Sequence, residues 1–139
     1  MENKTVDLPN GFKPMLADPP DTSKYPLKYP IYVSPKIDGF RVCVIGGKGY
    51  TRSLKEIPNP YIREYISKFN NLDGEIVCGN PTDPDVFNRT SSFVRREYGE
   101  PEFTFWAFDY LGCDKKTPFA DRALLTAGEV LHHSDERLR

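Results

Sequence analysis

A chain of 139 residues, 38% of them apolar and 13% aromatic, has room for one domain of ordinary size with a hydrophobic core. Its 19 lysines and arginines against 20 aspartates and glutamates give a formal net charge of -1, which excludes a globally basic protein but not a local basic groove. Three widely spaced cysteines without a C-x-x-C pair argue against a disulfide framework or a zinc site.

The lead-in segment, residues 1–30, contains six prolines among aspartate, asparagine and serine, so we expect it to be extended, without long helices or strands. Its apolar patch 14–17 is predicted to pack as a strap over the domain, and the wall of a pocket is the alternative. The sequence has no apolar run of the kind found in signal peptides or membrane spans. We therefore expect a soluble cytoplasmic protein with no membrane partner, whose single domain is formed by residues 31–139.

A lysine stands at the centre of the stretch that follows. The run Ile31–Val33 is β-prone, and the turn pair Asp38-Gly39 precedes an alternating strand over residues 40–44. This pattern predicts a hairpin that begins at Ile31, with Lys36 at a strand end facing a cleft and Arg41 near it across the turn. The spacing alone favours a surface hairpin with a solvated lysine.

Two local signals come next. The glycine cluster 46–49 predicts a β-turn into a strand over 50–53, because a phosphate-binding P-loop would need Gly-Lys followed by Ser or Thr at a helix start. Asn59-Pro60 predicts a helix, with the asparagine as N-cap and the proline where its missing N–H costs nothing. One face of this helix should pack against a sheet: Tyr61, Ile62, Tyr65, Ile66 and Phe69.

Glu75 stands inside a strand-like run, 72–78, among residues that would belong to the core. A carboxylate there needs a partner or a ligand, whereas on an edge strand it would face water, and both interpretations remain open. Further on, the spacing predicts a short helix over 86–96, a central aromatic strand over 102–111 and a helix over 118–131. The candidate core positions of the last helix are Phe119, Leu124, Leu125, Val130 and Leu131.

Four short motifs occur in order: Lys-Ile-Asp-Gly-Phe-Arg at 36–41, Thr-Arg-Ser at 51–53, Asp-Gly-Glu at 73–75 and Phe-Trp-Ala-Phe-Asp at 105–109. Together they resemble the first four nucleotidyltransferase motifs of ATP-dependent DNA ligases, particularly the compact phage-type enzymes, over roughly residues 12–125. RNA ligases and mRNA capping enzymes belong to the same superfamily. The resemblance implies an α+β fold in which antiparallel sheets are flanked by helices, a partial ATP-grasp-like nucleotidyltransferase domain of the DNA ligase type.

The resemblance also implies a role for each matching residue. Lys36 would be the nucleophile that attacks the α-phosphate of ATP, forming lysyl-AMP and releasing pyrophosphate. Arg41 and Arg52 would hold phosphate or ribose oxygens, because a guanidinium stays charged. Glu75 would accept hydrogen bonds from the ribose hydroxyls, and Phe108 would stack on adenine.

Further expectations concern the base, the metal and the partner. Ser34 stands where many family members have a glutamate that reads adenine, and it is assigned to nucleotide binding together with Ile37. Magnesium would neutralise the phosphates of ATP, with no metal ligand assigned in the protein. The implied partner is nicked double-stranded DNA during replication, repair or recombination. We expect a monomer in the cytoplasm, which would be the host's if the protein is viral.

The later motifs of the family, a metal-binding carboxylate and a Lys-x-Lys pair followed by an oligonucleotide-binding domain, are not found after Lys116. We therefore expect the front part of a DNA ligase adenylation domain, impaired in full ligation and forming lysyl-AMP slowly at most. Two alternatives stay open: an RNA ligase or capping-type nucleotidyltransferase, and a non-catalytic protein that keeps the fold to bind a nucleotide or another protein.

Overall fold

The computed structural model describes residues 11–139, so the first third of the predicted lead-in, residues 1–10, lies outside the described residues. The elements in chain order are β1 (Phe40–Ile45), β2 (Lys48–Tyr50), α1 (Pro60–Ile66), β3 (Leu72–Val77), α2 (Val86–Arg95), β4 (Thr104–Tyr110) and α3 (Phe119–His133). Within the described residues, four strands form one antiparallel sheet in the order β2-β1-β3-β4, and with the helices they confirm the α+β class.

The predicted turn in the glycine cluster joins β1 to β2. Gly46 and Gly47 have φ values of 59° and 73°, a left-handed conformation that glycine adopts at no steric cost and that suits a tight hairpin. The register pairs Cys43 with Tyr50. The turn prediction is therefore confirmed, and the chain reverses here rather than at Asp38-Gly39.

The predicted strand before Lys36 is wrong. Ile31, Tyr32 and Val33 are 42%, 69% and 85% exposed and belong to no strand. A strand needs a neighbour with free backbone groups, and both edges of β1 are already hydrogen-bonded, to β2 and to β3. The β-prone run therefore has no partner strand and stays irregular.

Helix α1 begins as its sequence predicts. The Asn59 side chain accepts a hydrogen bond from the Ile62 backbone N–H at 2.9 Å, and Pro60 occupies the first helical position. Ile62 and Ile66 are completely buried and join the hydrophobic core under the sheet. That core also contains Val42, Val44, Ile57, Phe69, Leu72, Ile76, Cys78, Val94, Phe103, Phe105 and Leu138.

Strand β3 lies between β1 and β4, so the interpretation of Glu75 as an edge-strand residue is wrong. The aromatic strand β4, predicted to be central, is instead the last strand of the sheet. Its outer side is not bare, because the Phe105 N–H donates to the Arg137 carbonyl at 2.6 Å and the Arg139 N–H donates to the Phe105 carbonyl at 2.9 Å. The final residues thus cover this edge.

The helices after the lead-in agree with their predicted spans, α2 at Val86–Arg95 and α3 at Phe119–His133. The predicted core positions of α3 are mostly wrong, since Leu124 and Leu131 are 74% and 77% exposed. The reason is its place beside β4 at the margin of the sheet, where the sheet covers only a narrow strip of the helix. Within residues 11–139 no helix combines the length and apolar character that crossing a membrane requires.

Candidate functional site

The two faces of the sheet differ in chemistry because successive residues of a strand point to opposite faces. On one face Val42 and Val44 of β1 and Leu72 and Ile76 of β3 form the hydrophobic core. The intervening positions lie on the other face, which we call the site face: Arg41, Cys43, Asp73 and Glu75. The register of β1 and β3 pairs Arg41 with Glu75 and Cys43 with Asp73.

An ion pair holds Arg41 on the site face. Its Nε donates to Asp73 Oδ1 at 2.6 Å and a terminal nitrogen donates to Oδ2 at 2.5 Å, a bidentate arrangement with both side chains largely buried. The hydrogen bond from Arg41 to Asp73 raises the pKa of the guanidinium. Arg41 is therefore a fixed positive charge rather than a mobile surface side chain.

Cys43 lies beneath this pair, with its Sγ 3.4 Å from Asp73 Oδ1. Burial, followed by the nearby Asp73 carboxylate, raises the pKa of this thiol to about 12. The thiol therefore stays protonated at neutral pH and is a poor nucleophile.

Glu75 is the group on this face that lacks a partner. Its Oε2 is buried and accepts no hydrogen bond from the described residues. The pKa of the carboxyl is raised to about 7, chiefly by burial; Arg41 and Lys36 oppose this increase, and Asp73 and Asp38 add to it. A buried acceptor without a donor is suited to a ligand that brings hydroxyl groups.

Phe108 supplies a flat apolar surface next to Arg41. The pairing of β3 with β4 shifts between Asp73 and Gly74, which face Asp109 and Ala107, so Phe108 is an extra residue in a β-bulge. The Phe108 ring is 38% exposed, and its centroid lies 4.9 Å from the Arg41 guanidinium. A planar base could stack on such a ring.

A second buried ion pair fixes the chain directly after Phe108. Arg122 of α3 donates from Nε to Asp109 Oδ1 at 2.8 Å and from a terminal nitrogen to the Thr117 carbonyl at 2.6 Å. The side chains of Arg122 and Asp109 are 15% and 10% exposed. Helix α3 is thereby attached to the end of β4.

Lys36 does not lie at a strand end, contrary to the prediction. It is exposed within the irregular segment 31–38, whereas Gly39 behind it is buried against β3, where a Cβ would lie 2.3 Å from the Ile76 carbonyl oxygen. Its charge nevertheless acts on the Glu75 carboxyl. Of the neighbouring predicted nucleotide contacts, Ser34 is exposed and Ile37 is half-buried.

Arg52 is the remaining predicted site residue. It is exposed in the turn after β2, on the opposite side of β1 from β3. It lines a shallow, open cavity with Ser53, Leu54, Lys13, Pro14 and Leu16. The apolar patch 14–17 is thus part of a cavity wall and not a buried strap, and Leu16 is 51% exposed.

The described residues contain no cluster of three or more histidine, cysteine, aspartate or glutamate side chains able to hold a metal ion.

Sequence reasoning missed Asp73 as the partner of Arg41 and Arg122 as the partner of Asp109. One signal was present, because Asp73 and Glu75 are two apart on a strand and must share a face. The pairing with Arg41 depends on the register between β1 and β3. The two residues are 32 positions apart in the chain, and no local sequence pattern indicates which residues of two distant strands will pair.

Comparison with family models finds no match, and comparison with curated proteins finds none either. Solved structures do match. One crystal structure of Chlorella virus DNA ligase-adenylate is 24% identical with a TM-score of 0.74, over 91% of this chain and 47% of that one. Another is 22% identical with a TM-score of 0.63, over 76% and 39%. The chain spans less than half the length of either, and it shares the fold of the part that it matches.

Proposed function

We propose that the chain binds ATP on the site face and transfers AMP to Lys36, as the adenylation-domain portion of an ATP-dependent DNA ligase. The observation that carries this proposal is the unpaired, buried Oε2 of Glu75 on the face that also carries a fixed guanidinium, Arg41, with the exposed Phe108 ring 4.9 Å from that guanidinium. These three groups match the hydroxyls, the phosphates and the base of a nucleotide. The shared fold and the four ordered motifs support the same activity.

The proposed reaction uses this chain's residues as follows. Deprotonated Lys36 Nζ attacks the α-phosphorus, a P–N bond forms, and the bond from that phosphorus to the bridging oxygen breaks, so that pyrophosphate leaves with the electron pair. The lysine proton is released to solvent. Arg41 neutralises charge on the phosphate oxygens, and Glu75 orients the ribose by accepting its hydroxyl protons. Magnesium, carried on the phosphates, would assist the departure of pyrophosphate.

Nicked double-stranded DNA is the proposed acceptor of the AMP group. An RNA end or an mRNA end would use the same lysine and the same nucleotide contacts, so the site face alone does not discriminate among polynucleotides. A second candidate function is nucleotide binding without catalysis. The exposure of Lys36, outside any strand, is the observation that favours it.

The first prediction is covalent labelling. Incubation with α-labelled ATP and magnesium should give a labelled protein band that is lost in Lys36→Ala, because Lys36 forms the phosphoramidate. Lys28→Ala is the matched control, since Lys28 is an exposed lysine of the same irregular stretch before β1 and should leave the label unchanged. Labelling that survives Lys36→Ala would refute the assignment of the nucleophile.

Parallel reactions separate the alternatives. Labelled GTP in place of ATP tests a capping-type preference, and transfer of the label from the protein to a nicked DNA duplex or to a nicked RNA duplex identifies the acceptor. If no label forms but labelled ATP is retained in equilibrium dialysis and released by Glu75→Ala, the chain is a nucleotide-binding module.

A further inference from the structure

The segment that carries Lys36 is attached at both ends. At its C-terminal end, Gly39 lies flat on β3, so close that a Cβ at this position would lie 2.3 Å from the Ile76 carbonyl oxygen. At its N-terminal end, the Tyr32 ring meets the Phe119 ring edge to face, with centroids 5.4 Å apart and an interplanar angle of 86°. Lys36 therefore lies between the two attachments, after Tyr32 and before Gly39.

The ring contact is the attachment that is made to a helix. Phe119 is the first residue of α3, and Tyr32 is 69% exposed even with this contact, within a segment that has no strand partner. Edge-to-face rings at this separation are favourable beyond the area that they bury. Pro35 has a fixed φ and restricts Ser34 before it, so two of the three residues between Tyr32 and Lys36 have limited backbone freedom, and a restraint at the ring limits where Lys36 can lie.

The same turn of α3 also fixes the opposite wall of the site. The Arg122 guanidinium lies 5.4 Å from the Phe119 ring centroid and forms the buried ion pair with Asp109, the residue after Phe108. One helical turn thus contacts both the segment of the nucleophile and the strand end that bears the exposed ring.

We propose that Tyr32 and Phe119 are positioning residues, which hold the Lys36 segment against the first turn of α3 and so set the nucleophile relative to Phe108. Neither residue touches the reacting atoms. Their contribution is to the orientation of Lys36 towards the α-phosphate, and it rests on the function proposed above. Misplacement of a reacting group by about 1 Å can lower a rate by about a hundredfold, so even a weak restraint is measurable.

The kinetic test compares formation of the labelled lysyl-AMP in several variants. Tyr32→Ala should lower the rate at saturating ATP by about tenfold and change the KM for ATP by less than about twofold, because the contacts that bind ATP are intact. Tyr32→Phe should restore the rate, since it keeps the ring. Tyr25→Ala should have no effect, because Tyr25 is 68% exposed in the lead-in and contacts no other ring in the described residues.

A double variant shows whether the two rings act through one contact. Tyr32→Ala combined with Phe119→Ala should be no slower than Phe119→Ala alone, whereas multiplied effects would overturn the proposal. A Tyr32→Ala protein that reacts at the rate of the unmodified chain would overturn it as well.

A second measurement is independent of catalysis. Trypsin cleavage after Lys36, without nucleotide, should accelerate in Tyr32→Ala and in Phe119→Ala but not in Tyr25→Ala, because release of the ring frees the segment. Cleavage after Lys28, which lies before the ring contact, is the internal reference. Unchanged cleavage after Lys36 would refute the restraint itself, even if the chain forms no lysyl-AMP and the proposed function fails.

Discussion

Helix α1 has 7 residues and buries Ile62 and Ile66 completely, whereas α3 has 15 residues and buries only Thr126. Leu124 and Leu131 of α3 are about three-quarters exposed. Buried apolar side chains therefore hold α1 against the sheet. Helix α3 is held in place by the ion pair of Arg122 with Asp109 and by a few partly buried contacts. The difference locates most of the folding free energy in the sheet and α1, and it leaves the helix beside the candidate site comparatively easy to displace.

The largest effect on stability is expected from a substitution in α1, the better-packed helix. Ile66→Ala should lower the free energy of unfolding by about 3 kcal/mol, since it removes buried methylene groups and leaves a cavity. Leu124→Ala, a similar loss of volume on α3, should cost less than about 0.5 kcal/mol because the side chain is already in water. Urea denaturation of both variants measures the contrast, and equal losses would contradict it.

An intermediate effect is expected at the attachment of α3. Arg122→Met should lower the free energy of unfolding, measured by urea denaturation, by about 2 kcal/mol, because the Asp109 carboxylate stays buried without its partner. The hydrogen bond to Asp109 raises the pKa of Arg122, as expected for a cation stabilised by the fold. Arg95→Met, at an exposed arginine in the last turn of α2, is the matched control and should change the stability little. Indistinguishable stabilities of these two variants would show that α3 is held in another way.

The smallest effect concerns the site face and depends on pH. Glu75 has a pKa of about 7 in the folded chain against 4.5 for an ordinary glutamate. As the pH rises, the unfolded chain therefore loses the Glu75 proton at a lower pH than the folded chain does. The free energy of unfolding consequently falls between about pH 4.5 and about pH 7. Between about pH 4.5 and about pH 8 the free energy of unfolding of the unmodified protein should fall by about 1 kcal/mol more than that of Glu75→Gln. This figure allows for the partial exposure of the carboxyl.

Thermal or urea denaturation at a series of pH values gives this comparison. Glu100→Gln, at an exposed glutamate, should follow the unmodified protein across the range. If Glu75→Gln follows it too, the carboxyl does not have the raised pKa that burial implies.

Local structures that depend on only a few neighbouring residues were predictable from the sequence. Asn59-Pro60 starts a helix and Gly46-Gly47 makes a tight turn because the cap and the left-handed φ are properties of those residues themselves. The run Ile31–Val33 was predicted wrongly because a strand is defined by its neighbour, and no edge of β1 is free to pair with it.

The candidate site was predictable only in part. Motif resemblance brought Arg41, Glu75 and Phe108 into one group, and the structure places all three on or beside the site face. The ion pair of Arg41 with Asp73 was not predicted, because it follows from strand register. Likewise, the exposed leucines of α3 follow from the position of that helix at the margin of the sheet, which its own periodicity does not encode.

Trp106 is the single tryptophan of the chain, and it pairs in register with Glu75 across β3 and β4. Its indole N–H donates to Thr104 Oγ1 at 3.0 Å, which restrains the ring. Because residues paired across neighbouring strands lie on the same face of the sheet, the molecule carries an intrinsic fluorophore on the face of its unpaired acceptor. Titration of Glu75, or the arrival of a ligand hydroxyl at its Oε2, should alter the Trp106 emission without any attached dye.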